Sequence, residues 1–107
     1  MPREETVRRA IREALTARGA AVISTTGAYG GAGLPDYIAC YRGRFLAIEV
    51  KRPGGRTTEL QEVWLARIRA AGGIAFVARS AYEAVEALKL ITEEEQNDGH
   101  RTAGRPV

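Results

Sequence analysis

Two runs of β-forming residues lie next to each other in this chain, separated by Gly43 alone. The first run covers residues 36–42 and the second covers residues 44–51. So short a separation predicts an antiparallel hairpin that turns at Gly43, and Pro53-Gly54-Gly55 ends its second strand. The chain must therefore fold around a sheet whose pairing begins locally.

Segments with a helical spacing of apolar residues flank this hairpin on both sides. The first ends at Gly19, and the second begins with the capping-box pattern Thr58-x-x-Gln61. The predicted order is a helix (4–18), three strands (20–26, 36–42 and 44–51), a helix (58–71), a strand (74–78) and a helix (80–92). A helix that connects two neighbouring strands implies a mixed sheet flanked by helices, so the fold class is α/β.

The 107 residues suffice for one ordinary domain, which we place at residues 1–92. Residues 93–107 are polar and lack periodicity, and we expect them to form a frayed or disordered tail. Residues 1–92 hold fourteen basic and nine acidic side chains, a net charge of +5, and the tail lowers the total to +3. Twelve of those fourteen bases are arginines, which suit phosphate because the guanidinium group donates in pairs.

The scarcity of cysteine and histidine excludes several kinds of site. Cys40 is the one cysteine and His100 the one histidine, which argues against disulfides, cysteine-clustered zinc sites and histidine-centred triads. The N-terminus has no apolar signal region, and no apolar run is long enough to span a membrane, so we expect a cytoplasmic protein without a membrane partner. Any chemistry must come from carboxylates, lysine and backbone groups.

A carboxylate and an amine project together from the third strand. Residues alternate between the faces of a strand, so Glu49 and Lys51 share one face. A turn at Gly43 places Asp36 across from Val50 and diagonal to Glu49. Two carboxylates on a rigid edge suit Mg²⁺, the Val50 carbonyl could add an oxygen ligand, and Lys51 could orient an attacking water. The alternative is an ordinary ion pair at a strand edge, with Asp36 as a turn residue.

Two further polar residues lie within apolar stripes of their helices. At about 100° per residue, Glu4 falls among the core-facing residues of the first helix, and Gln61 falls among those of the second. Each could be satisfied by local capping. Together they indicate that both helices begin beside a polar pocket lined by Asp36, Glu49 and Lys51.

Taken in order, these elements resemble the VRR-NUC family of the PD-(D/E)XK nuclease superfamily. The resemblance rests on the segments Gly33-Leu34-Pro35-Asp36 and Ile48-Glu49-Val50-Lys51, on Gln61, and on a first helix in which Glu4 precedes spaced aliphatic residues and a glycine. The resemblance covers roughly residues 4–80 and implies a restriction-endonuclease-like αβββαβ(α) core. The local Val7-Arg8-Arg9 is not the signature that names the family, and at the corresponding place this chain has Val50-Lys51-Arg52.

The resemblance implies an endonuclease that hydrolyses DNA with Mg²⁺, or Mn²⁺ as a substitute. Asp36 and Glu49 would be metal ligands, with Val50 and Glu4 as further candidates. Lys51 would orient the water or stabilise charge, and Gln61 would support the site, as would Glu4. Similarity to stand-alone family members further implies branched DNA such as four-way junctions as substrate, and a homodimer.

The surface that contacts DNA is less sharply defined by the sequence. Arg52 and Arg56 flank the predicted site and are the candidates for phosphate contacts, and Tyr29 in the glycine-rich loop could stack on a base. Solvated loop charges and a tyrosine packed on the surface are the alternatives. Other arginines are expected on solvated helix faces: Arg8, Arg9, Arg12, Arg67 and Arg69.

Two other functions stay open at this point. The chain could be a nicking or restriction-type nuclease module that another protein recruits to DNA. It could also be a non-catalytic DNA-binding module on the same fold.

Overall fold

The computed structural model describes residues 3–25 and 32–97, which form one mixed sheet and three helices. The elements follow the predicted order, and the predicted α/β fold class is confirmed. Their bounds are α1 Glu4–Ala17, β1 Ala21–Ser24, β2 Tyr37–Tyr41, β3 Arg44–Val50, α2 Glu59–Ala70, β4 Ile74–Ala78 and α3 Ala81–Asn97.

The strands lie in the order β1-β2-β3-β4. β2 pairs antiparallel with both β1 and β3, and β4 runs parallel to β3. The parallel pair needs a crossover connection, which α2 provides. As a result α2 covers β3 and β4 on one face of the sheet, whereas α1 and α3 pack together on the other.

The β2–β3 hairpin turns through two residues, Arg42 and Gly43, both with positive φ (51° and 80°). This is the backbone pattern of a tight hairpin turn, which asks for positive φ at both central positions. Tyr41 therefore pairs with Arg44 and Tyr37 with Ile48. One residue beyond the Tyr37–Ile48 pair, this register brings Asp36 opposite Glu49. The predicted register, centred on Gly43, placed Asp36 opposite Val50 and is wrong by one residue.

The two faces of the sheet carry cores of different size. On the α1 and α3 side, fully buried aliphatic side chains from these two helices and the sheet meet, among them Ile11, Leu46, Ile48 and Leu88. On the α2 side the buried cluster consists of Ala47, Leu65 and Ala75, with partly buried neighbours. Alternation along β3 divides its side chains between these two environments.

Helix α3 continues to Asn97, so the boundary predicted after residue 92 falls inside it. Ile91 is buried, the Tyr41 and Thr92 hydroxyls are hydrogen-bonded at 3.1 Å, and Arg42 pairs with Glu95. These contacts with the hairpin hold the last helical turns, and residues 93–97 are not part of a tail. Residues 98–107 lie outside the described part of the chain.

Across residues 3–25 and 32–97, no helix combines the length and the apolar character needed to cross a membrane.

Candidate active site

Asp36 is fixed by its neighbours on both sides, just before β2 begins. Its backbone carbonyl accepts a hydrogen bond from Thr25 N at 2.9 Å, and its side-chain Oδ2 accepts one from Val50 N at 2.8 Å. The residue is buried. The carboxylate thus extends the β2–β3 pairing with a side chain where the backbone ladder ends.

Gly33 is required by the approach of the loop that leads to Asp36. Its φ is +81°, and a Cβ at this position would lie 2.5 Å from Leu60 Cγ. Only glycine adopts this conformation without cost and leaves room for α2. The glycine of the Gly-x-Pro-Asp segment therefore lets the loop pack against the start of α2.

Glu49 lies on the face of β3 that is turned towards α2 and is only 2% exposed. Its Oε2 accepts a hydrogen bond from Gln61 Nε2 at 3.1 Å and lies 3.8 Å from Lys51 Nζ. Its Oε1 is buried and meets no hydrogen-bond donor among the described residues. An ionised carboxylate oxygen in that position is costly unless a proton or a cation reaches it.

The electrostatics of Glu49 reflect this position. Burial raises the pKa of Glu49 to about 8, and the charge of Asp36 acts in the same direction. The Lys51 ammonium lowers the pKa, but by less than burial raises it. Two adjacent carboxyl groups that share one environment are typical of sites built for a proton or a metal ion.

Gln61 reaches Glu49 because the capping box of α2 sets its amide. Thr58 N donates to Gln61 Oε1 at 2.8 Å, and Gln61 N donates to Thr58 Oγ1 at 3.2 Å. With its oxygen engaged at the helix start, the amide presents its nitrogen to Glu49. The sequence predicted for Gln61 either a place in the polar pocket or a local capping role, and the side chain does both.

Arg8 also belongs to the site, and its prediction as a solvated helix residue is wrong. Its Nε lies 3.4 Å from Asp36 Oδ1, and its Nη2 lies 3.4 Å from Glu4 Oε1. Tyr37 Oη donates to the Arg8 carbonyl at 3.1 Å and so ties α1 to β2. The missed signal was its position: one turn after Glu4, Arg8 falls about 40° from it on the same helix face.

Glu4 lies at the rim of the site, where it is partly exposed and paired with Arg8. In residues 3–25 and 32–97, no three acidic, histidine or cysteine side chains are placed to hold a metal ion together. Glu4 therefore does not complete a three-carboxylate cluster with Asp36 and Glu49. The side chain contacts Arg8, and its part in holding a metal ion stays a prediction.

The predicted DNA contacts occupy a loop beside the site or lie outside the described residues. Arg52 and Arg56 are exposed between β3 and α2, and their loop is held by Arg79, whose Nη2 donates to Gly55 O at 3.0 Å. The sequence did not single out Arg79, because this residue follows β4 and belongs to no motif. Tyr29 lies outside the described residues.

Of the remaining helix arginines, Arg9 and Arg12 are exposed as predicted. The other two make contacts that the sequence did not predict. The Arg67 guanidinium lies 4.6 Å from the centre of the Trp64 ring, and Arg69 Nε donates to Ala75 O at 2.9 Å. Both arginines are nevertheless exposed, as predicted, and make these contacts at the protein surface.

The donor set fits a small, hard cation. Asp36 and Glu49 supply two carboxylates, and Glu49 Oε1 meets no donor within the described part of the chain. Mg²⁺ takes one or two protein carboxylates and completes its shell with water and substrate phosphate. The Val50 carbonyl, whose residue already contacts Asp36 through its amide, stays a predicted further ligand.

An Asp-Glu-Lys constellation where β2 begins and β3 ends has the pattern of the PD-(D/E)XK class of nucleases that the motifs resemble. The family model of the VRR-NUC domain matches residues 3–82. The chain belongs to the VRR-NUC domain family, a family of nuclease domains.

The fold comparison agrees with this assignment. A solved structure described as "VRR_NUC domain" is similar to this chain, with a TM-score of 0.66 and 26% sequence identity. The similarity covers 80% of this chain and 94% of that chain. No curated protein matches the sequence. The resemblance recognised from the motifs is thereby confirmed.

Proposed function

We propose that this protein is a metal-dependent endonuclease that hydrolyses DNA phosphodiester bonds, with branched DNA such as four-way junctions as its substrate. The observation that carries the proposal is the buried carboxyl pair Asp36 and Glu49, with Lys51 Nζ 3.8 Å from Glu49. Glu49 Oε1 is buried and meets no donor from residues 3–25 and 32–97, and a folded domain has no structural use for such an acceptor. A cation bound between the two acids would satisfy it.

In the proposed reaction, Asp36 and Glu49 would hold Mg²⁺ or Mn²⁺, which would supply Lewis-acid polarisation of a phosphoryl oxygen and a lowered pKa for the attacking water. Lys51 donates a hydrogen bond that orients the attacking water and stabilises charge developing on the phosphoryl oxygens. Gln61 keeps Glu49 in place through its amide nitrogen.

The surroundings of the site suit a polyanionic substrate. The exposed Arg52 and Arg56 lie on the loop that directly follows Lys51. We propose that they contact phosphates, and Tyr29 is a further candidate for a stacking contact. Phosphate contacts of this kind should make DNA binding weaken as the salt concentration rises.

A homodimer is the proposed assembly. One chain of 107 residues offers one Asp-Glu-Lys site, whereas paired cuts in a junction need two. A twofold axis would present identical sites to two strands. Trp64, which is partly buried on α2, is a candidate for the contact between copies.

Cleavage of a four-way junction, a flap and a linear duplex of equal length, each with and without Mg²⁺ or Mn²⁺, tests this proposal. We expect divalent-dependent cleavage with a preference for the junction. Lys51→Ala should lower the cleavage rate by about 100-fold to 1,000-fold. Asp36→Asn should abolish cleavage while the protein stays folded.

Lys89→Ala is the matched control, because Lys89 is the only other lysine and lies exposed on α3, paired with Glu86. It should cleave like the wild type. Equal cleavage of all three DNAs would favour a nicking or recruited module. Binding without cleavage under any divalent condition would favour the non-catalytic module and contradict the proposal.

A further inference from the structure

Both carboxylate oxygens of Asp36 are engaged in this structure, but unequally. Oδ2 accepts the 2.8 Å hydrogen bond from Val50 N. Oδ1 has only the 3.4 Å contact with Arg8 Nε, and the geometry of that ion pair falls short of a hydrogen bond. Within the described residues, the oxygens of the acid pair left for a ligand are therefore Glu49 Oε1 and Asp36 Oδ1. Arg8 occupies one of these two.

Arg8 is placed between alternatives rather than locked in one contact. Its Nε is buried and lacks a hydrogen-bond partner among the described residues, while its Nη2 reaches Glu4 Oε1 at 3.4 Å. The side chain is 27% exposed, so part of the guanidinium group is open to solvent at the rim. A guanidinium group with unused donors is suited to exchange one anionic partner for another.

We propose that Arg8 is the internal counter-ion of the cation site and exchanges Asp36 for a DNA phosphate. Without a divalent cation, Arg8 neutralises Asp36 at Oδ1. When a cation takes that oxygen, Arg8 gives it up, because two positive charges cannot share one carboxylate oxygen without repulsion. The released guanidinium group, still anchored to Glu4, then binds a phosphate oxygen of the substrate. This inference rests on the proposed nuclease function and adds a residue to the site.

The Arg8 exchange separates cation binding from DNA binding. Removing Arg8 should strengthen the binding of a cation, because the competitor is gone. It should weaken DNA binding only when a cation is present, because only then is the guanidinium group free. If Arg8 had only a structural role, its removal would lower thermal stability and weaken cation binding and DNA binding together.

The first experiment measures Mn²⁺ binding to the protein without DNA by electron paramagnetic resonance. Arg8→Gln should bind Mn²⁺ about tenfold more tightly than the wild type. Arg9→Gln removes the same charge from the neighbouring, exposed position of α1 and should change the affinity little. Arg8→Lys keeps the charge and should stay near the wild type, which guards against a folding defect in Arg8→Gln. Unchanged or weaker Mn²⁺ binding by a folded Arg8→Gln overturns the inference.

The second experiment measures binding of a four-way junction in a Lys51→Ala background, with and without Mn²⁺. Adding Arg8→Gln should weaken binding several-fold with Mn²⁺ and leave it unchanged without Mn²⁺. Adding Arg9→Gln should have the same effect in both conditions. A loss for Arg8→Gln that does not depend on Mn²⁺ contradicts the exchange.

The two proposals fail in different ways. If the wild type binds Mn²⁺ and cleaves DNA but Arg8→Gln leaves Mn²⁺ affinity unchanged, only the role of Arg8 is wrong. If the wild type binds no divalent cation, both the exchange and the metal-dependent nuclease are wrong.

Discussion

The two faces of β3 differ in what their buried side chains do. On the α1 and α3 side, Leu46, Ile48 and Val50 are buried completely in an apolar cluster. On the α2 side, the same strand buries Glu49 beside a small cluster around Leu65. One face therefore supplies most of the folding energy, and the other can hold a carboxyl group whose burial is unfavourable. A strand anchored on one side tolerates a costly side chain on the other.

The largest expected effect tests the anchoring face. Leu46→Ala removes a side chain with no exposed surface and should lower the free energy of unfolding by about 2–5 kcal/mol. Phe45→Ala, one residue earlier on the α2 side, removes a larger but 50% exposed side chain and should cost about 1 kcal/mol. Urea unfolding of both variants measures the difference. Equal losses would contradict the division between the faces.

A second prediction concerns the pH dependence that Glu49 gives to stability. Its pKa is raised in the folded protein to about 8 from an ordinary value of 4.5. Between these values the folded state holds a proton that the unfolded state has lost, so metal-free stability should fall as pH rises from 4.5 to 8. Glu49→Gln cannot ionise and should lack this loss.

Thermal melts from pH 4.5 to 9 in a chelator test this expectation. Glu49→Gln should melt several degrees above the wild type at pH 8, since about 1 kcal/mol corresponds to roughly 4–8 °C in a domain of this size. The two should converge near pH 4.5. Leu46→Ala should be destabilised at every pH. A constant offset between Glu49→Gln and the wild type would show that the titration of Glu49 does not set the pH dependence.

The smallest effect on stability distinguishes the helices of the two faces. Thr58→Ala removes the cap of α2, and Ser80→Ala removes the hydroxyl that accepts from Glu83 N at the start of α3. Each should cost about 1 kcal/mol in unfolding. Only Thr58→Ala should also slow DNA cleavage, because it loosens Gln61 beside Glu49. Equal cleavage rates for both variants would separate the capping box from the site.

Much of this arrangement follows from local patterns. Alternation in β3 predicted that Glu49 and Lys51 share a face, and helical spacing predicted that Gln61 faces the site. The register of the β2–β3 hairpin could not be predicted in this way, because Gly43 permits several turns. The two-residue turn with Arg42 at positive φ is one of them. Counting from the glycine alone misplaced Asp36 by one residue.

The missed features depend on contacts between distant segments. Helical spacing places Arg8 on the same face of α1 as Glu4, but its ion pair with Asp36 depends on how α1 packs against the sheet. The last turns of α3 look like a polar tail until the hairpin meets them through Thr92 and Glu95. Polar residues carry little periodic signal, so their place is decided by the tertiary structure.

The capping box of α2 narrows the choice of residue at position 61. Either glutamine or glutamate closes such a box. Glu83 has the equivalent place at the start of α3: its N donates to Ser80 Oγ at 3.1 Å, and its side chain accepts from Arg79 N, one residue before Ser80, at 2.8 Å. At position 61 a glutamate would cap the helix equally well, but it could not donate to Glu49 and would place another negative charge beside the acid pair. In an ordinary helix this position could hold either residue, but here the contact with Glu49 restricts position 61 to glutamine. Variation at position 61 among related chains would therefore report on the state of the acid pair, and a glutamate there would mark a domain in which that pair has changed.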